Sequence, residues 1–506
     1  MIRISVLLLL LITARAQAQG PGGGAFDPRI VTSVYVEALS FMAPRILEPV
    51  PISQMTLWGL RGLTALDPSL TTTAADGRIR LLSQARPVFE APAPRDENPV
   101  SWANTAAAMA VAAGNLSSAV RQAGGQAIIQ SFFDELFNHL DLYSRYVAPA
   151  AADEDRDKRD GRAGLGVGVA VRGGVVTVRS VIRDGPGETM GLRVGDTILA
   201  VDRKPVRGLD ARAVMEMLEG EEDTAVLVYW RTREGRTREA QVAREVVPPE
   251  TVFSEMIGNI LLVRITGFSR TTGSHLLLVM RDAFGGGRPV EGVIVDLRGN
   301  RGGLVRQAVS VADILLPPGV VAITAGRAPE ANHVWRSFAD ELGEDIPAVV
   351  LVDGRTASAA EILAAALADR GRAVVVGSST LGKGLVQTID PMPDGGELFV
   401  TWSRILAPLG WPIHGLGLLP QVCTSRGQDV LRRQLDALAS RRQLMAGDIA
   451  AHRRARALLT PARIQAIRNA CPPGEGRDAD IEAARTLISN PIAYETALLP
   501  AREDLR

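Results

Sequence analysis

Ser358 stands in Thr356-Ala357-Ser358-Ala359-Ala360-Glu361, directly after the apolar run Val349 to Val352 and at the opening of a helix-forming stretch, Ile362 to Leu367. A serine at such a strand-to-helix turn faces the positive end of a helix, where backbone N–H groups stabilise negative charge. That suits a nucleophile. Ser358-x-x-Glu361 also fits a capping box, in which both side chains only satisfy orphan amides, and taken alone the pattern favours capping. A hydroxyl nucleophile needs a base. Lys383, in Gly382-Lys383-Gly384, follows 25 residues later and is one of only three lysines among 56 cationic side chains. Arginine stays protonated, whereas a buried lysine can lose its proton and accept one from a hydroxyl. Bringing its pKa from about 10.4 to about 7 requires roughly 4 to 5 kcal/mol of differential stabilisation, which burial can supply. Gln387 is placed to orient the amine, although an exposed strand glutamine has the same spacing. A third segment, Val293 to Gly303, ends an apolar strand in Gly302-Gly303. The Gly302 amide, with that of Ala359, would face a developing oxyanion. Asp296 and Arg298 would tie this turn down.

Positioning these groups requires a layered scaffold. From 248 to 422, short apolar strands alternate with helical stretches, the pattern of an α/β domain. Residues 27–150 read mostly as helices, and 423–506 as Arg- and Ala-rich helices broken at Pro472-Pro473-Gly474. The charged run 151–162, with no apolar residue from Asp153 to Arg162, reads as an exposed linker. From 163 to 247 the period shortens to that of β-strands separated by Gly-rich turns. The first 18 residues fit a cleaved secretory signal: Arg3, an apolar run to Ile12, then Ala16-Gln17-Ala18. This predicts export to a bacterial periplasm. The run is shorter than the roughly 20 residues needed to cross a bilayer, so no integral membrane segment is expected after signal removal. In an oxidising compartment Cys423 and Cys471 could pair, or remain as two buried thiols.

The chain has 506 residues, 46% of them hydrophobic, with 56 cationic and 56 acidic side chains. At this length several domains are expected. The charge balance excludes nucleic acid and anionic membrane as partners, since both need a basic surplus. Five scattered histidines and two distant cysteines offer no metal-ligand spacing, and no cofactor is expected.

The spacing Gly164-Leu165-Gly166-Val167, then Pro186-Gly187-x-x-x-Gly191-Leu192-x-x-Gly195-Asp196-x-Ile198-Leu199-x-Val201, resembles a PDZ domain in the circularly permuted order of bacterial proteases. The resemblance implies that Leu165, Gly166 and Val167 form the loop that holds a peptide carboxylate on backbone N–H groups. Together with Leu140 to Tyr146, Asp296 to Gly303, Ala357 to Glu361 and Gly382 to Gln387, it is similar to the carboxyl-terminal processing, or tail-specific, protease family. That family implies a multidomain chain: helical N-terminal region, PDZ domain, crotonase-like α/β peptidase core and helical C-terminal region. It implies a serine endopeptidase with Ser358 as nucleophile, Lys383 as base, Gln387 as orienter and the Gly302 and Ala359 amides as oxyanion hole. Its partners would be proteins or peptides with free C-termini; a homo-oligomer or an adaptor is left open. Gln421 departs from the family, which carries aspartate there.

Other classes fit less well. Gly377 to Lys383 matches Gly-x-x-x-x-Gly-Lys of nucleotide-binding loops, but Gly384 replaces the magnesium-binding hydroxyl and a strand replaces the phosphate-binding helix. No histidine lies in a Ser-His-Asp setting, and no Gly-x-Ser-x-Gly surrounds Ser358. A catalytically inactive peptide-binding scaffold would keep the PDZ domain and lose the polar groups of the core, which are all present.

Overall fold

The computed structural model describes residues 27–182, 185–338, 342–456 and 459–500, so the signal segment lies outside the described residues. These residues divide into two compact units, one ending at Leu140 and the other running from Asp141 onward together with residues 41–50. The helical N-terminal domain expected to reach residue 150 therefore stops earlier. Residues Arg145–Val147 instead pair as a strand with Glu397, Leu398 and Phe399 of the core.

The first unit is built on the helices Ile52–Leu60, Gly62–Leu66, Pro99–Leu116 and Ser118–Phe137. Its core includes the Tyr35 ring stacked on Phe132, with centroids 4.2 Å apart. It also contains an antiparallel meander of Leu70–Ala75, Arg78–Ser83 and Arg86–Pro92, which the helical reading omits. The sequence signal was present: Thr71-Thr72-Thr73 is β-branched, and Asp76-Gly77 adopts the positive φ of a tight hairpin turn.

In the second unit, the strands Val167–Arg172, Val175–Val181, Thr197–Val201, Ala225–Arg231 and Thr237–Ala243 form the sheet expected from 163 to 247. Helix Ala211–Leu218, N-capped by Asp210, buries Val214 and Leu218. The core sheet has the order Val252–Ile257, Ile260–Ile265, Gly292–Asp296, Ala348–Val352, Ala373–Gly377, Val422–Cys423. Its first pair is antiparallel and the rest parallel. Successive strand residues face opposite sides. Val293, Val295 and Val350 pack under helices Thr272–Gly285, Val305–Leu315 and Ala359–Asp369, while Ile294, Val349 and Leu351 pack under the C-terminal helices Gln428–Ala439 and Asp478–Ser489. Burial on both faces explains why these strands are apolar without alternation. The C-terminal region, which carries no motif of its own, is thus half of the cover of this sheet. A second sheet joins His333–Ser337, Gly319–Gly326, Glu397–Leu406 and Leu385–Pro391.

The expected linker is instead a helix, Pro149–Asp160. Its charges are not all solvated. Arg159 lies 2.8 Å and Arg156 3.2 Å from Glu397, whose side chain is only 4% exposed. A buried carboxylate requires such partners. The charge run reads as solvent-facing in the sequence because the glutamate it serves lies far along the chain.

Candidate active site

Ser358 caps the helix Ala359–Asp369 directly after the loop that leaves strand Ala348–Val352. Its φ of 58° and ψ of −120° lie outside the regions a non-glycine residue adopts without strain. The turn is held from several sides. Asp353 Oδ1 accepts the Thr356 and Gly299 amides at 2.9 and 3.0 Å, and the Ala357 amide donates to Asn300 O at 2.9 Å. Half of the capping box is made: the Ser358 amide donates to Glu361 Oε2 at 2.8 Å. The serine side chain and the Glu361 amide are placed as the other half of the box, and that amide also donates to the Ser358 carbonyl at 2.9 Å. Among the described residues the hydroxyl is bonded to no other side chain.

Glu361 does more than the Ser358-x-x-Glu361 spacing implies. It is fully buried, and besides the Ser358 amide it accepts the amides of Gly382 (2.8 Å) and Lys383 (2.9 Å) and the Thr380 hydroxyl. One carboxylate thereby fixes the serine turn and the lysine loop to each other. Burial pushes its pKa up, while the four donors oppose that rise. The lysine loop is closed from behind by Ile413 to Leu418. The Leu418 amide donates to Thr380 Oγ1 at 2.8 Å and the Gly415 amide to Gly382 O at 2.9 Å. A Cβ on Gly384 would lie 2.1 Å from His414 N, so a magnesium-binding serine or threonine could not stand there.

Lys383 is partly buried, and burial, aided by Arg145, lowers its pKa below the ordinary value, against opposing pulls from Asp141 and Glu361. Its Nζ lies 5.0 Å from the Tyr143 ring centroid. No hydrogen bond joins it to the Ser358 hydroxyl among the described residues, so the two groups share a site without being engaged. Gln387 does not reach the amine either: its Nε2 donates to Thr401 Oγ1 at 3.1 Å and to Leu385 O at 3.4 Å.

The glycine turn is also only partly as expected. Gly302 lies against Ser358; a Cβ on it would be 2.8 Å from Ser358 Cβ and 3.0 Å from Ala359 N. Its amide, however, donates to Asn300 Oδ1 at 2.8 Å, so this donor is taken in the structure. Ala359 N–H, the first amide of its helix, has no partner within its own turn. Asp296 and Arg298 do tie the turn down: the guanidinium meets both carboxylate oxygens at 2.8 Å. Gln421, in place of the family aspartate, is buried, and its Oε1 accepts the Val375 amide at 2.8 Å, extending the sheet edge.

The segment Cys471 to Asp480 braces the same loops. Gly474 bonds Gly354 N at 2.8 Å and Ser378 Oγ at 3.0 Å, Cys471 O accepts Ser379 N at 3.3 Å, and Asp480 meets Arg298 at 3.1 Å. Cys423 and Cys471 form a disulfide. Reducing it, or replacing both cysteines by serine, is expected to lower stability by roughly 4 kcal/mol, about 5 °C in melting midpoint. Turnover should fall with it, because Ser378 and Ser379 hang from this segment. Thermal melting with and without dithiothreitol checks this; an unmoved midpoint would mean that the bond braces nothing.

In the smaller domain, a groove of about 250 Å³ runs along Gly164 to Gly168 and is lined by Met215 and Leu218 of helix Ala211–Leu218 and by Ile182. Gly166 has φ 64°, and the Leu165 and Gly166 carbonyls are each bonded at 2.7 Å, by Gly187 N and Ile182 N. Strand Val167–Arg172 is at the sheet edge, with one side open to an added strand.

Residues 259–424 match the family described as Peptidase family S41, and residues 177–231 match one described as PDZ domain. A carboxy-terminal-processing protease of Bartonella bacilliformis is 32% identical over 303 residues, covering 59% of this chain and 69% of that protein. The carboxy-terminal processing protease CtpA of Bacillus subtilis is 32% identical over 56% of this chain and 60% of its own length. Among solved structures, a photosystem II D1 C-terminal processing protease aligns with 26% identity and a TM-score of 0.37, covering 75% of this chain and 97% of that one. The chain belongs to the carboxy-terminal processing protease family, with an S41 peptidase core and a PDZ domain. Among the described residues no helix is long and apolar enough to cross a membrane, and no cluster of potential metal ligands occurs.

Proposed function

We propose that this chain is an exported serine endopeptidase that cleaves proteins with unstructured, apolar C-terminal tails. The observation that carries this reading is the strained Ser358 turn, whose amide shares the Glu361 carboxylate with the amide of a partly buried lysine. In the reaction, Ser358 Oγ attacks the scissile carbonyl carbon as Lys383 takes its proton. The oxyanion is stabilised by the Ala359 amide, joined by that of Gly302 once Asn300 releases it. Lys383 then protonates the departing amine, and water attacks the acyl-enzyme with the same base. Gln387 orients the amine.

The PDZ groove takes the substrate tail as an added strand beside Val167–Arg172, with its carboxylate at Leu165, Gly166 and Val167 and its apolar side chains against Met215 and Leu218. The bound tail also helps to draw the separated serine and lysine together. Export to a periplasm follows from the signal-like N-terminus and agrees with the disulfide. The test compares degradation of one unstructured protein with a free or an amidated apolar C-terminus, by wild type and Ser358→Ala. Faster loss of the free-ended substrate, and none with the variant, is expected. Unchanged cleavage by Ser358→Ala would remove the serine from the mechanism, and equal rates for both substrates would remove tail recognition.

A further inference from the structure

We propose that Asp141 and Thr401 are positioning residues that set which end of the Gln387 amide faces Lys383. The proposal rests on the reading of Lys383 as base and Gln387 as its orienter. Asp141 opens the second unit, and its loop is stitched to strand Glu397–Leu406 beside the lysine. Asp141 Oδ1 accepts the amides of Tyr143 (2.8 Å) and Ser144 (3.0 Å) and the Thr401 hydroxyl (2.7 Å). Its Oδ2 accepts the Ser144 hydroxyl at 2.5 Å, and Ser144 Oγ accepts the Thr401 amide at 2.9 Å.

The polarity of this chain follows from the inventory of donors. An ionised carboxylate only accepts. Thr401, which is almost wholly buried, must therefore spend its single hydroxyl proton on Asp141, leaving its oxygen to accept. Gln387, its cross-strand partner, can satisfy that oxygen only with its amide nitrogen, which it does at 3.1 Å. The second acceptor within reach of Nε2, Leu385 O at 3.4 Å, enforces the same choice. Gln387 Oε1 is then the end left over. An amine that has to be held with its lone pair free for a hydroxyl proton needs an acceptor for its N–H, and only the oxygen end of an amide supplies one. Asp141 thus acts on Lys383 by two routes. Its relay selects the amide face, and its loop carries Tyr143, whose ring covers the amine.

Thr401→Val keeps the shape and removes the relay, whereas Thr401→Ser keeps the hydroxyl. The valine variant is expected to lose at least tenfold in kcat with KM within about twofold, and the serine variant to stay within about threefold of wild type. A purely structural role would not separate the two this way; equal kcat in both would overturn the relay. Asp141→Asn provides a second readout. Around the amine stand Asp141, Tyr143 and Arg145 from the covering segment and Glu361 from the helix, and His414 interacts with both Asp141 and Arg404. Removing the Asp141 charge takes away one of two carboxylates that favour the ammonium. The rising limb of kcat/KM against pH should move to lower pH, and an unmoved limb would overturn the coupling. Ser358→Ala keeps the outcomes apart. If it is inactive while Thr401→Val is unaffected, the dyad stands and the relay falls; if it is active, the underlying reading falls first.

Discussion

Lys383→Arg is expected to reduce turnover by about 10²- to 10⁴-fold while leaving the fold intact, the range lost when a general base is removed. Arginine restores the positive charge and the length but does not release its proton at any workable pH. The variant therefore isolates proton transfer from packing. The wild type should show kcat/KM rising with pH, because the proposed base is the neutral amine. Burial lowers the Lys383 pKa, so the midpoint should fall below the ordinary lysine value. The stability linkage has a definite sign. The folded state binds this proton less well than the unfolded chain, so the penalty is full below the folded pKa and disappears as pH rises through the unfolded one. Kinetics of the purified variant across pH check both statements, and undiminished hydrolysis by Lys383→Arg would leave the mechanism without its base.

The second large effect concerns Glu361. Glu361→Ala leaves the buried Gly382 amide and Thr380 hydroxyl and the part-buried Ser358 and Lys383 amides without their acceptor; at about 1 to 3 kcal/mol for a buried group and less for the others, a loss of about 4 kcal/mol is expected. Glu361→Gln is more informative. If its nitrogen takes the Oε2 position it meets the amides of Ser358 and Lys383; in the Oε1 position it meets the Gly382 amide and the Thr380 hydroxyl, which can reverse. Either placement strands at least one donor against another. Because this carboxylate holds the serine and lysine segments in register, the glutamine variant should lose about a hundredfold in kcat, as a misplacement of about 1 Å can cause. KM should change little. Wild-type kcat in Glu361→Gln, measured beside its melting curve, would show that the serine and lysine loops are aligned by other means.

Sequence patterning determined a good deal here. The apolar strands, the Gly-Leu-x-x-Gly-Asp element and the serine at a strand-to-helix turn are local patterns, and local patterns record how a segment meets its immediate surroundings. The PDZ-like sheet, the mixed core and the helix opening at Ala359 all stand where those patterns place them. The capping ambiguity at Ser358 could not be resolved this way, since both outcomes use the same residues; in the structure the capping glutamate also binds the lysine loop, so capping and assembly of the site go together.

What only the tertiary structure decided are relations between segments distant along the chain. Glu361 ties the serine turn to the lysine loop, Thr401 takes the Gln387 amide, and Glu397 recruits the arginines of an apparent linker. Each depends on a hydrogen-bond partner chosen by folding, and composition carries no record of that choice. A side chain that can donate or accept in several directions is assigned a role only when its neighbours' protons have been allotted. Residue types therefore disclosed which chemistry was available, and the packed network disclosed which of it is poised and which is held back.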